Sequence, residues 1–375
     1  MSLTQDIKDY ALDIGYHQVG ITSADSFTDH LEEVRSRGAI YDFYVQDPRQ
    51  FLMGAQPLET MPSARSIISL VWDYSQKAFP SSLLEKVGRI YQARCYDAPP
   101  DRINGARYQL LLNFLEKRGC EIGRGIFVPE RRAAARAGVA TFGKNSFAYA
   151  KKIGSFVLLN SIVIDQELEY DPPAYNSRCP IECTACMKAC PTGAIYEPLK
   201  LDPRRCLAFN AWWTQDGRPG VTSYIPFLIR EKMGTRVHGC DICQEVCPNN
   251  SARLKARFPS DPFLVQLAKE FTLPKMLEMS DSFYRRTVLP IMYNYLTDKK
   301  YLQRNAAIAL GNTRNPDHLP VLKRAMKNPE ELVRGYAAWA LGRIGSGKAR
   351  AVLESCSKRE TSEFVLSEIK AALEN

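Results

Sequence analysis

The sequence contains no long apolar run. Nothing in its 375 residues approaches the roughly 18 consecutive apolar residues of a membrane span. Its opening, MSLTQDIKDYALDIG, is polar and lacks the layout of a secretory signal; it reads as the start of an amphipathic helix. Membrane embedding and secretion are thereby set aside, and a cytoplasmic, monomeric protein is expected. An acidic excess is missing too, since 50 Lys and Arg against 41 Asp and Glu leave a formal charge of +9. A hydrophobic content of 45% and a charged content of 24% are ordinary for a globular chain. The length allows two or three cores.

The charge is unevenly spread. Ser251 to Asn375 holds 21 Lys and Arg against 13 Asp and Glu, a balance of +8, while the first 250 residues hold 29 against 28. A basic excess confined to one segment suits a polyanion such as RNA. A solvated helical surface that happens to be basic is the plainer reading. The same segment repeats itself: AAIALGN at 306–312 returns as AAWALGR at 337–343, and VLKR at 321–324 as VLES at 352–355, both after 31 residues. A period near 30 in Ala- and Leu-rich helical sequence marks HEAT-type helix pairs, which bury their apolar stripe by stacking on a neighbour.

Nearer the N-terminus, SIISLVW (66–72) and SFVLLNSIVI (155–164) are rich in β-branched residues and poor in charge, as buried strands are. RYQLLLNFLEKRG (107–119) has helical periodicity and ends at a glycine, a helix stop. These signals fit α+β or α/β, with the strand order open. The turn-rich YDPPAYNSR (170–178) reads as a linker. Domains are therefore expected at 1–170, 171–255 and 256–375.

Eleven cysteines are present, eight of them patterned. Cys179, Cys183, Cys186 and Cys190, the last followed by Pro191, form one run. Cys206 stands alone, and Cys240, Cys243 and Cys247, followed by Pro248, form a second run. In a reducing compartment such clusters hold metal more often than they form disulfides. In two-cluster ferredoxins the first three cysteines of a run grip one 4Fe–4S cube and the last, before proline, crosses to the other. Applied here, cluster one takes Cys179, Cys183, Cys186 and Cys247; cluster two takes Cys240, Cys243, Cys190 and Cys206. A pair of zinc sites would also use CxxC pairs, but the two CxxxCP endings favour iron–sulfur. One spacing departs from the pattern, because Cys179 and Cys183 enclose three residues rather than two. Cys95, Cys120 and Cys356 are left over; lone cysteines are mostly small buried hydrophobes, and Cys95 is the one considered for a site. Cubes of this kind pass single electrons, so a further centre should receive them.

Together these motifs resemble the epoxyqueuosine reductases, cobalamin-dependent enzymes related to reductive dehalogenases. The resemblance runs through most of the chain. It is carried by PSARSIISL (62–70), ERRAAARAGVATFGKNS (130–146), CPTGAI (190–195), RVHGCDICQEVCPNN (236–250) and VRGYAAWALGRIG (333–345). It implies an α+β protein with an N-terminal cobalamin-binding α/β domain, a bacterial two-cluster ferredoxin-like domain and C-terminal HEAT-like repeats. An external flavodoxin- or ferredoxin-like donor would feed the clusters, and cobalamin would receive the electrons. Epoxyqueuosine in tRNA would be reduced to queuosine, with the basic C-terminal region gripping tRNA phosphates. By position, Lys144, Asn145, Ser146, Ser155, Leu159 and Asn160 would lie along the corrin. Phe209, Trp212, Trp213, Val237, His238 and Gly239 would approach it from the cluster side, and Cys95 is a further cofactor-lining candidate.

Three departures fall near the implied substrate pocket. Six residues before Glu130, where the family carries an aspartate proton donor, stands Arg124, which stays protonated and is a poor general acid. A shift would bring Glu121 or Glu130 into that role. The family's RDYH motif becomes ARCYD (93–97), and its tyrosine before GCDxC becomes His238, a residue able to ligate, titrate or donate a proton. Arg124, Glu130 and His238 are thus the catalytic candidates. Three readings stay open: a reductase with a rearranged acid, a paralogue that keeps the cofactors but reduces another substrate or a corrinoid, and a non-catalytic electron-transfer or RNA-binding protein.

Overall fold

The computed structural model describes residues 2–92, 103–177, 179–289 and 296–374. The chain forms two compact units, each assembled from three stretches. One comprises Met1–Lys77, Ala93–Arg204 and Asp241–Phe258; the other comprises Ala78–Gln92, Arg205–Cys240 and Pro259–Asn375. Among the described residues no helix is long and apolar enough to cross a membrane.

The first unit is built on strands β1 (Gln18–Ser23), β2 (Ser66–Asp73), β3 (Ala140–Phe142), β4 (Ala148–Ala150) and β5 (Val157–Ile164). β1, β2 and β5 form one sheet in the order β1-β2-β5, and both pairings are antiparallel, which makes the unit α+β. Side chains of a strand alternate between faces, and here both faces are covered. Ile68, Leu70, Ile162 and Ile164 pack with residues of the helices Leu3–Asp13 and Ile103–Lys117. Ile67, Val71, Leu159 and Val163 pack toward Ala133 and Ala134 of the helix Glu130–Arg136. Burial on two sides explains why β2 is apolar at consecutive positions instead of alternating. Ser2 caps the first helix, accepting from the Gln5 N–H at 3.3 Å, and the helix ending at Lys117 is followed by Gly119 at φ +81°. The stretch 170–177 has no regular structure, as its turn residues predict.

β3 and β4 form a hairpin whose turn is the Gly143–Phe147 segment. Gly143 N–H donates to the Phe147 carbonyl and Ser146 N–H to the Gly143 carbonyl, both at 2.9 Å. Ser146 sits at φ +63°, the left-handed region that closes such a turn. The cysteine runs bring two short helices together, Ala185–Ala189 and Ile242–Glu245. Each carries one cysteine, Cys186 and Cys243.

The second unit ends in the helices Lys299–Thr313, Leu319–Ala325, Glu331–Ile344, Gly347–Ser357 and Glu363–Glu374. The 31-residue period is visible in their packing. A Cβ on Gly311 would lie 2.8 Å from Ala340 Cα, and one on Gly342 would lie 2.6 Å from Ala372 Cβ. Glycine at these equivalent positions lets successive inner helices touch. The helix stops repeat as well: Arg314 and Gly345, also 31 apart, both take left-handed caps at φ +52° and +65°.

Candidate metal centre

Cys179, Cys183, Cys186 and Cys247 line one small pocket in the first unit, with Lys144, Asn145 and Tyr149 along its wall. These are the four thiols that the crossed ferredoxin pattern assigns to one cluster. Burial first, and then the neighbouring Cys179 and Cys247, push the Cys186 thiol above its ordinary pKa. Thiolates crowded in this way call for a cationic core, and soft sulfur donors suit iron–sulfur. The donor set therefore fits a 4Fe–4S cube. Cys190 does not line this cavity. Its sulfur accepts the Ala194 N–H at 3.2 Å and lies 3.6 Å from Thr192 Oγ1. Burial alone would raise its pKa, but hydrogen bonds from Thr192 and from the backbone around Ala194 hold it below the ordinary value.

The cysteine loops have little regular structure, so their buried backbone groups need partners from elsewhere. Lys144 Nζ donates to the carbonyls of Pro180, Ile181 and Cys183 at 2.8, 2.5 and 2.9 Å, and its N–H points at Cys179 Sγ at 3.5 Å. One ammonium thus gathers the longer Cys179–Cys183 loop and leaves Ile181 88% exposed. Asn145 accepts the Phe147 N–H at 3.3 Å and donates to Tyr149 Oη at 2.9 Å and to the Cys243 carbonyl at 3.1 Å. Ser155 donates its N–H to Asn250 Oδ1 and its hydroxyl to Gln244 Oε1, both at 2.9 Å. Asn250 Nδ2 returns bonds to Ser155 Oγ and the Gln244 carbonyl at 2.8 Å each. Burial, followed by the nearby Cys247 sulfur, pushes the Tyr149 phenol well above its ordinary pKa, so it stays protonated.

Other candidates lie elsewhere. Leu159 is inside the core, while Asn160, next along β5, projects from the opposite face, half-buried and without a side-chain hydrogen bond among the described residues. The Ser146 carbonyl accepts from Arg131. Arg124 is exposed and paired with Glu116, and Glu130 is the exposed first residue of its helix; neither lines the cavity. Cys95 falls outside the described residues. In the second unit, Phe209 stacks on Trp213 at 6.0 Å and Trp212 meets Trp213 edge-on at 5.1 Å. Val237 and His238 are fully buried. The His238 ring stands edge-on to Tyr91 at 4.4 Å, and burial lowers its pKa to about 3, which keeps the imidazole neutral. Gly239 has φ +77°, and a Cβ there would lie 2.3 Å from Tyr91, so only glycine fits before Cys240. Cys206 and Cys240 belong to this unit; Cys190 and Cys243 belong to the first.

Residues 178–250 match the 4Fe-4S double cluster binding domain family, and residues 289–374 match HEAT repeats. The epoxyqueuosine reductase of Bacillus subtilis is 30% identical over 386 residues, covering 99% of this chain and 95% of that one. The chain belongs to the epoxyqueuosine reductase family. The Escherichia coli epoxyqueuosine reductase is also 30% identical, over 366 residues, covering 90% and 89%. A crystal structure of a selenomethionine-labelled epoxyqueuosine reductase superimposes with a TM-score of 0.81 at 27% identity, covering 99% of this chain and 98% of that one. Another, holding an epoxyqueuosine-modified tRNA stem loop, gives 0.80 at 26% identity over the same shares. Against this family background, residues that the motifs did not single out also serve the site: Tyr149, Gln244 and Asn250 around the cysteines, and Arg304 and Asn305 in the repeats. Gln244 and Asn250 lie inside RVHGCDICQEVCPNN, which is where a signal for them existed, and Arg304 and Asn305 stand directly before the repeated AAIALGN. Tyr149 carries no such mark.

Proposed function

We propose that this protein reduces epoxyqueuosine in tRNA to queuosine, with two 4Fe–4S clusters carrying the electrons and a cobalamin receiving them. Family membership over the whole chain supports the reaction, and the four thiols converging on one cavity are the observation that carries the redox part. Loss of the epoxide oxygen as water takes two electrons and two protons, and each cube delivers one electron at a time. By segment, 1–170 would hold the corrin, 171–255 the clusters and 256–375 the tRNA phosphates. An external flavodoxin- or ferredoxin-like protein would supply the electrons in the cytoplasm.

For the corrin, the amide of Asn160 on the outer strand β5, without a side-chain hydrogen bond among the described residues, fits a ligand contact. The polar atoms of Lys144, Asn145 and Ser155 are instead engaged with the cysteine loops. When bound, a cobalamin supplies a strongly reducing metal centre. The chain's own task at the substrate is to deliver protons. Arg124 stands where the family has its aspartate and cannot serve as an acid, so the role passes to Glu121 or Glu130, the carboxyls on either side of it in the chain. The Glu121 carboxylate accepts from Ser63 Oγ at 3.0 Å.

The test is direct. Protein reconstituted without oxygen and then reduced is incubated with tRNA containing epoxyqueuosine, and the nucleosides are weighed by mass spectrometry. Queuosine is the expected product. Its absence, under conditions where the Bacillus subtilis enzyme forms it, would overturn the substrate assignment.

A further inference from the structure

We propose that Asn305 fixes the backbone arms of Cys206 and Cys240 relative to each other and so positions both thiols as ligands of cluster two, an inference that rests on the 4Fe–4S reading of the cysteines. Cys206 stands at the start of the short helix Leu207–Trp212, and Asn210 ties it down, donating to the Cys206 carbonyl from its N–H at 3.0 Å and from its Nδ2 at 2.9 Å. The next residue of that helix, Ala211, offers its carbonyl to Asn305 Nδ2 at 2.7 Å. The same nitrogen donates to the carbonyl of Val237, three residues before Cys240, at 2.8 Å. One amide thus bridges the arm that carries Cys206 to the arm that carries Cys240. Its direction is set from behind: Arg304 Nε donates to Asn305 Oδ1 at 3.0 Å, which leaves both Nδ2 protons for the two carbonyls. Arg304 and Asn305 are both fully buried.

Helical solenoids bind partners on the extended surfaces that their stacked repeats create. In this chain the inner repeat helices hold the chain's own cysteine-bearing stretch, at positions related by the 31-residue period. Asn305 and Tyr336 are one such pair, and the Tyr336 hydroxyl accepts the Ile225 N–H at 2.6 Å. Asn312 and Arg343 are another: Asn312 Nδ2 donates to the carbonyls of Arg230 and Gly234 at 2.8 and 2.9 Å, and Arg343 pairs with Glu231. Of these four, Asn305 alone spans both cysteine arms. It is a positioning residue, acting through two backbone segments and not on substrate.

Asn305→Ala removes the bridge. The full chain is reconstituted without oxygen with iron and sulfide, its iron content measured, and its clusters followed by EPR after reduction. The cluster-two signal is the one that persists in Cys186→Ser. The expected result is a cluster-two signal weakened about tenfold, iron falling from about eight towards about four per chain, and the cluster-one signal kept. Asn312→Ala loses as many hydrogen bonds from the same helix, but to the middle of the stretch, and should keep both clusters. Full iron with an unaltered cluster-two signal in Asn305→Ala would overturn the proposal, and so would an equal loss in Asn312→Ala, which a merely structural role predicts. Should Asn305→Ala fail to fold by circular dichroism, Arg304→Lys decides, since it keeps the cation and removes the Nε–H that aims the amide. A weakened cluster-two signal there supports the proposal; an intact signal, or a second failure to fold, overturns it. A wild-type chain that never binds about eight irons would remove the cluster reading itself, a failure distinct from an unaltered variant.

Discussion

The two units stabilise cysteine-bearing chain of irregular structure by different means. In the first, Lys144, Asn145, Ser155, Gln244 and Asn250 share the task, each making two or more short hydrogen bonds. In the second, two neighbours at the start of the repeat helices do it. Arg304, fully buried, donates to the carbonyls of Thr214 at 2.6 Å and Ser223 at 2.5 Å, and Asn305 donates to those of Ala211 at 2.7 Å and Val237 at 2.8 Å. Those carbonyls belong to the stretch that begins with Cys206 and ends with Cys240. Both arrangements answer the same demand, that buried backbone carbonyls be paired. One distributes the work over a lysine and four neutral side chains, whereas the other concentrates it on an arginine and its neighbouring asparagine.

Substitution should expose that contrast most strongly at Arg304. Arg304→Met removes charge-assisted bonds and leaves two buried carbonyls unpaired, a loss of about 4 kcal/mol. Denaturant unfolding of the reconstituted protein followed by circular dichroism measures it, and a loss below about 1 kcal/mol would deny the concentrated role. Acid should be nearly as damaging. Burial first, then Arg132 and Arg131, lowers the His30 pKa from 6.5 to about 4 against a weaker pull from Asp29, and its ring bonds Tyr44 Oη at 3.1 Å. Between those two values the unfolded chain binds a proton that the folded one refuses. Stability is therefore full above pH 6.5 and falls by about 3 kcal/mol as the pH drops to 4. His30→Gln should flatten part of that slope; His238, buried in the other unit, should maintain the rest.

Asn250→Ala, within the distributed network, should cost about 2 kcal/mol, less than Arg304→Met because Gln244 and Ser155 still bond each other. An equal or greater loss would erase the distinction between the two designs. Smallest of all, Arg124→Asp should change stability by no more than about 0.5 kcal/mol, since its pair with Glu116 is exposed. The same variant, assayed on epoxyqueuosine-containing tRNA, shows whether the position governs the substrate; unaltered activity would remove it from that role.

Much of this was legible in the residues. The apolar runs at 66–72 and 155–164 are the two long sheet strands, because a strand covered on both faces needs no alternation. The 31-residue repeat is legible as HEAT-type helices, and the structure adds glycines and helix stops recurring at the same interval. What escaped depends on direction and long-range partners. Leu159 and Asn160 were grouped along one ligand, but neighbours on a strand face opposite ways. Lys144 and Asn145 were assigned by motif to a corrin, whereas their polar atoms turn to the cysteine loops across a hairpin turn closed by left-handed Ser146. Counting charges placed Arg304 on a basic surface; its partners, some 80 to 90 residues earlier in the chain, draw it inside.

The interleaved build of the two units has a consequence for synthesis. The first unit lacks Cys247, Gln244 and Asn250 until Asp241–Phe258 has left the ribosome, and Ser155 waits 95 residues for its partner Asn250. A nascent chain cut short near Arg204 carries a finished sheet beside an open cysteine loop. Contacts so distant in sequence form slowly, so iron and sulfide delivery meets a chain more than two-thirds made. A shortage of either would be felt after most of the protein had already been translated.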